Sequence, residues 1–319
     1  HCLSSAASDV YKRQVANKNG VKLLYESSVC AGTPIIKLLN QELAASKISK
    51  ISGMLNGTSN FILSNMEEGM EFEPTLKLAQ EKGYAEPDPS FDIEGTDAAH
   101  KIGILSSLAF GSSLPPKDFY IEGINGIHKD DFKYAYEMGY TIKHLAIAKS
   151  TNNSIDLRAH PSLVKLDSYL ANLKGVRNGI EVETDLLGTL HIAGSGAGQE
   201  ATASGVISDL IYLSDSKIRE VNNINETIEL IDFIDLDFQY YFYIEASDVS
   251  GVMASISSIF ANKDVSIESI SQKENLNDDL VPIIIITDPF KEKDYQELVD
   301  NLLELDSVNK IRSIRIEPQ

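Results

Sequence analysis

Apolar residues recur along this chain with two periods, and each switch between them marks an element. VANKNG (15–20) reads as the end of a helix with a glycine stop, and VKLLYESSV (21–29) alternates as a strand does. CAGTP interrupts that alternation, and IIKLLNQELAAS (35–46) returns to helical spacing. KISKISGML (47–55) predicts a strand running into NGTSN and a helix over 61–68, and PTLKLAQEKG (74–83) predicts a helix stopped by glycine. GTDAAHKIGILSSLAFG (95–111) carries apolar residues at helical spacing and also closes on glycine. Over 119–193 the runs TIKHLAIAK, IDLRAHP, IEVETD and GTLHIAG predict a mixed sheet, with Asn, Gly and Pro turns between strands. GSGAG (194–198) opens a long helix, QEATASGVISDLIYLS, and NINETIELIDFIDLD (223–237) reads as an acidic connector.

The remaining residues predict strand–helix–strand–strand–helix–strand, the ferredoxin-like βαββαβ order. The fold class is therefore α/β (α+β), and 319 residues suffice for two domains with separate cores. A net charge of −19 argues against nucleic acid, whose binding requires clustered Lys and Arg. No apolar run is long enough to span a bilayer. Two cysteines, Cys2 and Cys30, are too few for a disulfide framework or a zinc site and fit a reducing cytoplasm. The opening HCLSSAASDVYKRQ has no initiator Met and no apolar signal region, and it resembles translated sequencing-adapter sequence. Residues 1–14 are expected to be non-native, with the native N-terminal part lying upstream; a disordered native tail is the alternative.

The chemistry concentrates in GYAEPDPSFDIEGTDAAHK (83–101), where Glu86, Asp88, Asp92, Glu94 and Asp97 precede Lys101. Pro87 and Pro89 stiffen the loop that carries Glu86 and Asp88. Asp97 and Lys101 stand four residues apart on one helix face. Such a pair is either a surface ion pair worth a few tenths of a kcal/mol, or a proton-handling lysine beside carboxylates that grip a polar or cationic substrate group. Spacing alone leaves both readings open. Cys30 reads as a small buried residue, since no histidine stands near it in sequence. The histidines at 100, 128, 144, 160 and 191 lack metal-ligand spacing.

The same run resembles the signature of homoserine dehydrogenases, G-Y-x-E-x-D-P leading into D-x-x-G-x-D-x-x-x-K. YESSVCAGTPIIK (25–37), ISGMLNGTSNFIL (51–63) and IAGSGAGQEATASGVISDLI (192–211) match further motifs of that family in order. The resemblance implies NAD(P)-dependent interconversion of aspartate semialdehyde and homoserine, on the way to threonine and methionine. It makes Lys101 the catalytic acid/base with Asp97 beside it, and Glu86, Tyr84 and Asp92 the substrate-binding residues. It places Gly194, Gly196 and Gly198 against the nucleotide, although GSGAGQ has Gln199 where a G-x-G-x-x-G turn has its third glycine. No full G-x-G-x-x-G turn occurs ahead of residue 21, so the chain as given is expected to turn over weakly or not at all. Lys18 of ANK is too near the following strand to be the family's T-A-N-K lysine. A monovalent cation such as Na⁺ is implied at Glu26 and at the carbonyls of Val29, Ala31 and Thr33, with Cys30 and Ala31 standing where the family is glycine-rich.

The C-terminal part resembles an ACT domain, with SDVSGVMASISSIFANKDVSIESISQ (247–272) matching its first loop, helix and second strand. This implies an effector site at Asp248 and Gly251, threonine as effector and homodimerisation; a module that only dimerises is the alternative. The implied organisation is a tail over 1–14, a remnant edge of a Rossmann nucleotide-binding domain over 15–29, and a mixed-sheet substrate and dimerisation domain over 30–193. A helix returning to the nucleotide domain follows over 194–222, then a linker over 223–236 and the ACT regulatory domain over 237–319. A non-catalytic amino-acid-binding regulator built from the same parts is the competing reading.

Overall fold

The structure, a computed structural model, describes residues 12, 15, 16, 18–111, 119–152, 154–214, 228–273 and 279–318. The readings of 1–14 (apart from residue 12) and of 223–227 lie outside them. In chain order the elements are a 3₁₀ turn (Glu26–Ser28), α1 (Ile35–Lys37), a π-helical turn (Leu38–Glu42), β1 (Ile48–Met54), α2 (Gly57–Glu67), α3 (Phe72–Glu81), α4 (Ser90–Ile93) and α5 (Thr96–Phe110). Next come β2 (Tyr120–Ile121), α6 (Lys129–Glu137), β3 (Tyr140–Thr151), β4 (Ser154–Lys165), β5 (Arg177–Thr184), β6 (Gly188–Ser195) and α7 (Gln199–Ser214). The chain then forms β7 (Glu229–Leu230), β8 (Asp237–Ser247), α8 (Val252–Asn262), β9 (Ile267–Gln272), β10 (Leu280–Thr287), β11 (Phe290–Lys291), α9 (Glu292–Leu303) and β12 (Val308–Ile316). No helix among the described residues is long and apolar enough to cross a membrane.

Two compact units result: His1–Lys129 with Lys143–His160 and Tyr169–Ile231, and Asp130–Ile142 with Pro161–Ser168 and Asp232–Gln319. In the first, the strand order is β6–β5–β1–β3–β4. β1 lies antiparallel between β3 and β5, while the short β2 and β7 join β4 in parallel, so the sheet is mixed. Ile51, Ala146, Ala148, Ile180 and Val182 of this sheet bury against Ala98, Ala99, Ile102 and Leu105 of α5. Each large aliphatic side chain buried here contributes about 1.5–3 kcal/mol. That packing fixes the helix bearing Asp97 and Lys101. Gly95 and Gly111 bound α5 in left-handed conformations, φ 84° and 71°.

Three sequence expectations are corrected. Residues 21–29 form no strand: among the described residues no partner strand pairs with them, and alternation without a ladder leaves an extended run and a 3₁₀ turn. The helix expected over 35–46 is reduced to α1 and the π turn, where Leu43 N–H reaches back to Leu38 O. α6, inside the run read as sheet, was not anticipated; it buries Asp131, Phe132, Tyr134 and Ala135.

The second unit holds the βαββαβ order. Its sheet runs β12–β8–β10–β9 with every neighbour antiparallel, the ferredoxin-like arrangement. Phe242, Ile244 and Ile283 pack with Ile256 and Phe260 of α8 and Leu298 of α9. Two ion pairs belong to this unit: Arg315 on Glu292, which also takes the Tyr240 hydroxyl, and Arg312 bidentate on Asp131 at 2.8–3.0 Å.

Candidate active site

β1 delivers the chain to Leu55 and Asn56, where strand gives way to helix. Asn56 caps α2, its Oδ1 accepting the Ser59 N–H at 2.8 Å. The Leu55 carbonyl is left facing α5. Lys101 Nζ donates to it at 2.9 Å and to Asp97 Oδ2 at 2.6 Å. Only 17% of the Lys101 side chain and 20% of Asp97 is exposed, so this is no open surface pair. Burial pulls the Lys101 pKa down, but Asp97 above all, with Cys30 and Asp92, more than offsets it. The net shift is upward and the ammonium form prevails at neutral pH.

Asp92, at the end of α4, accepts from Asn56 Nδ2 at 2.7 Å through Oδ1, and its backbone oxygen takes the Ser59 hydroxyl at 3.0 Å. Burial pushes the Asp92 carboxyl above its ordinary value, with the Asn56 hydrogen bond opposing. Behind Asp97, His144 of β3 donates Nε2–H to the Glu122 carbonyl at 2.9 Å. Burial holds its pKa below the usual histidine value, so the ring is neutral. A Cβ on Gly95 would lie 2.9 Å from that ring nitrogen, which with φ 84° makes glycine necessary here.

The structure thus brings Asp92, Asp97 and Lys101 together. Among the described residues, no side-chain hydrogen bond of Glu86 or Tyr84 joins this cluster. Tyr84 rests its ring edge-on against Phe61, with centroids 5.0 Å apart, and its carbonyl takes the Thr58 hydroxyl at 2.6 Å. Glu86 is exposed; Gln80 Nε2 holds its carbonyl at 3.2 Å, while its carboxylate has no hydrogen bond or ion pair among the described residues. Asp88 is occupied by Ser90, whose N–H and hydroxyl it accepts.

The Glu26 loop serves the fold visibly. Both Glu26 oxygens accept backbone amides, from Ile36 at 2.8 Å and Lys37 at 3.0 Å, and the residue is buried. Its pKa is raised, by burial first. Cys30 and Ala31 adopt φ 57° and 49°, the left-handed region that a glycine-rich run would occupy without strain. The carbonyls of Cys30 and Thr33 accept from Thr33 N and Ile35 N. These hydrogen bonds give the Glu26 carboxylate and the carbonyls of Cys30 and Thr33 a structural role within the loop. No group of three or more His, Cys, Asp or Glu able to hold a metal occurs among the described residues.

Gly194 and Gly196 have an internal reason to lack side chains: a Cβ would strike Thr33 Oγ1 and the Asn178 amide, respectively. Gly198, at φ 117°, turns the chain from β6 into the 16-residue α7. The first amides of such a helix suit an anionic group, so this turn fits a cofactor phosphate. Under it, Asn178 Oδ1 and Thr33 Oγ1 are buried without hydrogen-bond partners. In the second unit, Gly251 begins α8 at φ 95°, and Asp248 Oδ1 accepts from Gln272 at 3.3 Å.

Three residues at this site were not singled out from sequence. Asn56 carried a legible helix-capping signal, but its bonds to Asp92 and Asp97 join positions distant in sequence. Asn178 and His144 carried none, since a buried polar residue within a strand looks like any other.

The family model for homoserine dehydrogenase matches residues 34–211. A homoserine dehydrogenase of Neisseria gonorrhoeae is 39% identical over 317 residues, covering 95% of this chain and 72% of that protein. The crystal structure of a homoserine dehydrogenase from Thiobacillus denitrificans superposes with a TM-score of 0.90 at 37% identity, covering 99% of this chain and 74% of that one. A hyperthermophilic archaeal homoserine dehydrogenase in complex with NADPH aligns at TM-score 0.57 and 29% identity, over 67% of this chain and 63% of that one. The motifs around Asp92, Asp97 and Lys101 therefore sit in a chain that belongs to the homoserine dehydrogenase family.

Proposed function

We propose that this chain carries its family's activity, interconverting L-aspartate 4-semialdehyde and L-homoserine in the biosynthesis of threonine and methionine. The observation that carries this reading is the Lys101 ammonium. Its bonds to Leu55 O and Asp97 Oδ2 use two of an ammonium's three donors, which leaves the third for a substrate oxygen. NAD or NADP, when bound, would supply or accept the hydride, and Gly194, Gly196 and Gly198 are the residues that would lie against it. Reduction of the aldehyde develops negative charge on oxygen, which Lys101 stabilises and then protonates. In the reverse direction Lys101, as the free amine, takes the homoserine hydroxyl proton. Asp97 fixes where the amine points. The uncommitted Glu86 carboxylate receives the substrate ammonium, a charge-assisted contact, beside Tyr84 and Asp92.

A monovalent cation at Glu26, Val29, Ala31 and Thr33 rests on the family resemblance alone, and no step here runs through it. The second unit is proposed to be an ACT module that pairs two copies of the chain and senses threonine near Asp248 and Gly251. Calorimetric titration with L-homoserine tests the substrate assignment: Glu86→Gln should weaken binding at least tenfold. Equal binding by the variant removes Glu86 from the pocket.

A further inference from the structure

We propose that Asn56 is a positioning residue for Lys101, acting through the two carboxylates it bridges; this rests on the reading of Lys101 as the proton carrier. One side chain makes three directed bonds. Its Oδ1 caps α2 through Ser59 N, while its Nδ2 donates one proton to Asp92 Oδ1 at 2.7 Å and the other to Asp97 Oδ2 at 2.9 Å. Asp97 Oδ2 is also the oxygen that Lys101 holds at 2.6 Å. Asn56 is 6% exposed, so water does not compete freely for these donors. The amide's oxygen is fixed by the cap, and its nitrogen is therefore aimed.

The charges explain why a neutral double donor stands here. Asp92 and Asp97 repel each other, and both act on Lys101 together with Cys30; His144 faces Asp97 from behind as a neutral ring. Two neighbouring buried carboxylates tend to share a proton, which would halve the negative charge beside the ammonium. The Asn56 donor favours the ionised form of Asp92 and keeps Asp97 Oδ2 turned toward Lys101. The lysine then stays protonated and in place.

Asn56→Ser separates this role from capping. Serine caps a helix about as well as asparagine, but its hydroxyl is too short to bridge both carboxylates. The readout is the pH dependence of amine labelling at Lys101, followed by peptide mapping. In the wild type Lys101 should titrate above the ordinary lysine value of about 10.4. In Asn56→Ser, with the fold retained, it should titrate about one pH unit lower, a ~tenfold larger amine fraction. An unmoved Lys101 titration in the folded variant overturns the proposal. If the variant does not fold, the wild-type protein decides by NMR. Both side-chain amide protons of Asn56 should exchange slowly and shift together as Asp92 is protonated; exchange at the rate of a surface asparagine overturns the bridge. None of these readouts needs turnover. Failure of the dehydrogenase reading, seen as no calorimetric binding of L-homoserine, is therefore a separate result from failure of the Asn56 role.

Discussion

Lys101 and Asn178 hold the same oxygen: the Leu55 carbonyl accepts Lys101 Nζ at 2.9 Å and Asn178 Nδ2 at 3.0 Å. Asn178, fully buried on β5, also stands directly against Gly196. Asn178→Ala should therefore loosen the end of β1 from two sides. The expected cost is about 1–3 kcal/mol in denaturant unfolding, with turnover falling more than substrate affinity. Unchanged stability and turnover would show that Leu55 O needs no second donor.

The raised pKa of Lys101 gives the two directions of the reaction opposite pH responses. Aldehyde reduction uses the ammonium, so its rate should hold across the neutral range and decline only above the ordinary lysine value of about 10.4. Homoserine oxidation uses the free amine, and its rate should climb with pH over the same range. Initial rates in each direction, measured in constant-ionic-strength buffers, check this. Parallel profiles would assign the proton transfer to another group.

His144 should make the first unit sensitive to mild acid. Its folded pKa lies below the unfolded value of about 6.5, so below that pH the unfolded chain binds more protons. The stability it confers is complete above the unfolded pKa and is lost as pH falls through the folded one. Glu122 and Asp97, which face the ring, limit the depression without reversing it. Glu26 and Asp92, whose pKa values are raised, contribute with the opposite sign. Melting temperatures followed from about pH 8 down to pH 5 should fall less steeply for His144→Gln than for the wild type. Identical slopes would place the acid sensitivity elsewhere.

How far the sequence foretold this arrangement depends on the range of each contact. Asp97 and Lys101 were legible as neighbours because a helix brings i and i+4 together whatever surrounds it. The final βαββαβ unit was legible because each strand and helix there keeps a clean period. Residues 21–29 misled because alternation states only a willingness to pair, and a strand also requires a partner. α6 was missed although Asp130 and Asp131, then Phe132 and Ala135, then Gly139 trace a short helix; its signal is brief and lies among strands. The Asn56 bridge was beyond reading, since it depends on where the β1–α2 turn meets α4 and α5.

The most direct test compares homoserine oxidation by the wild type and by Lys101→Ala, at enzyme concentrations high enough to resolve a single slow turnover. The variant's rate should fall by about 10²–10⁴-fold, with homoserine affinity within a few-fold of wild type. A Lys101→Ala rate equal to that of the wild type would contradict the acid/base role of Lys101.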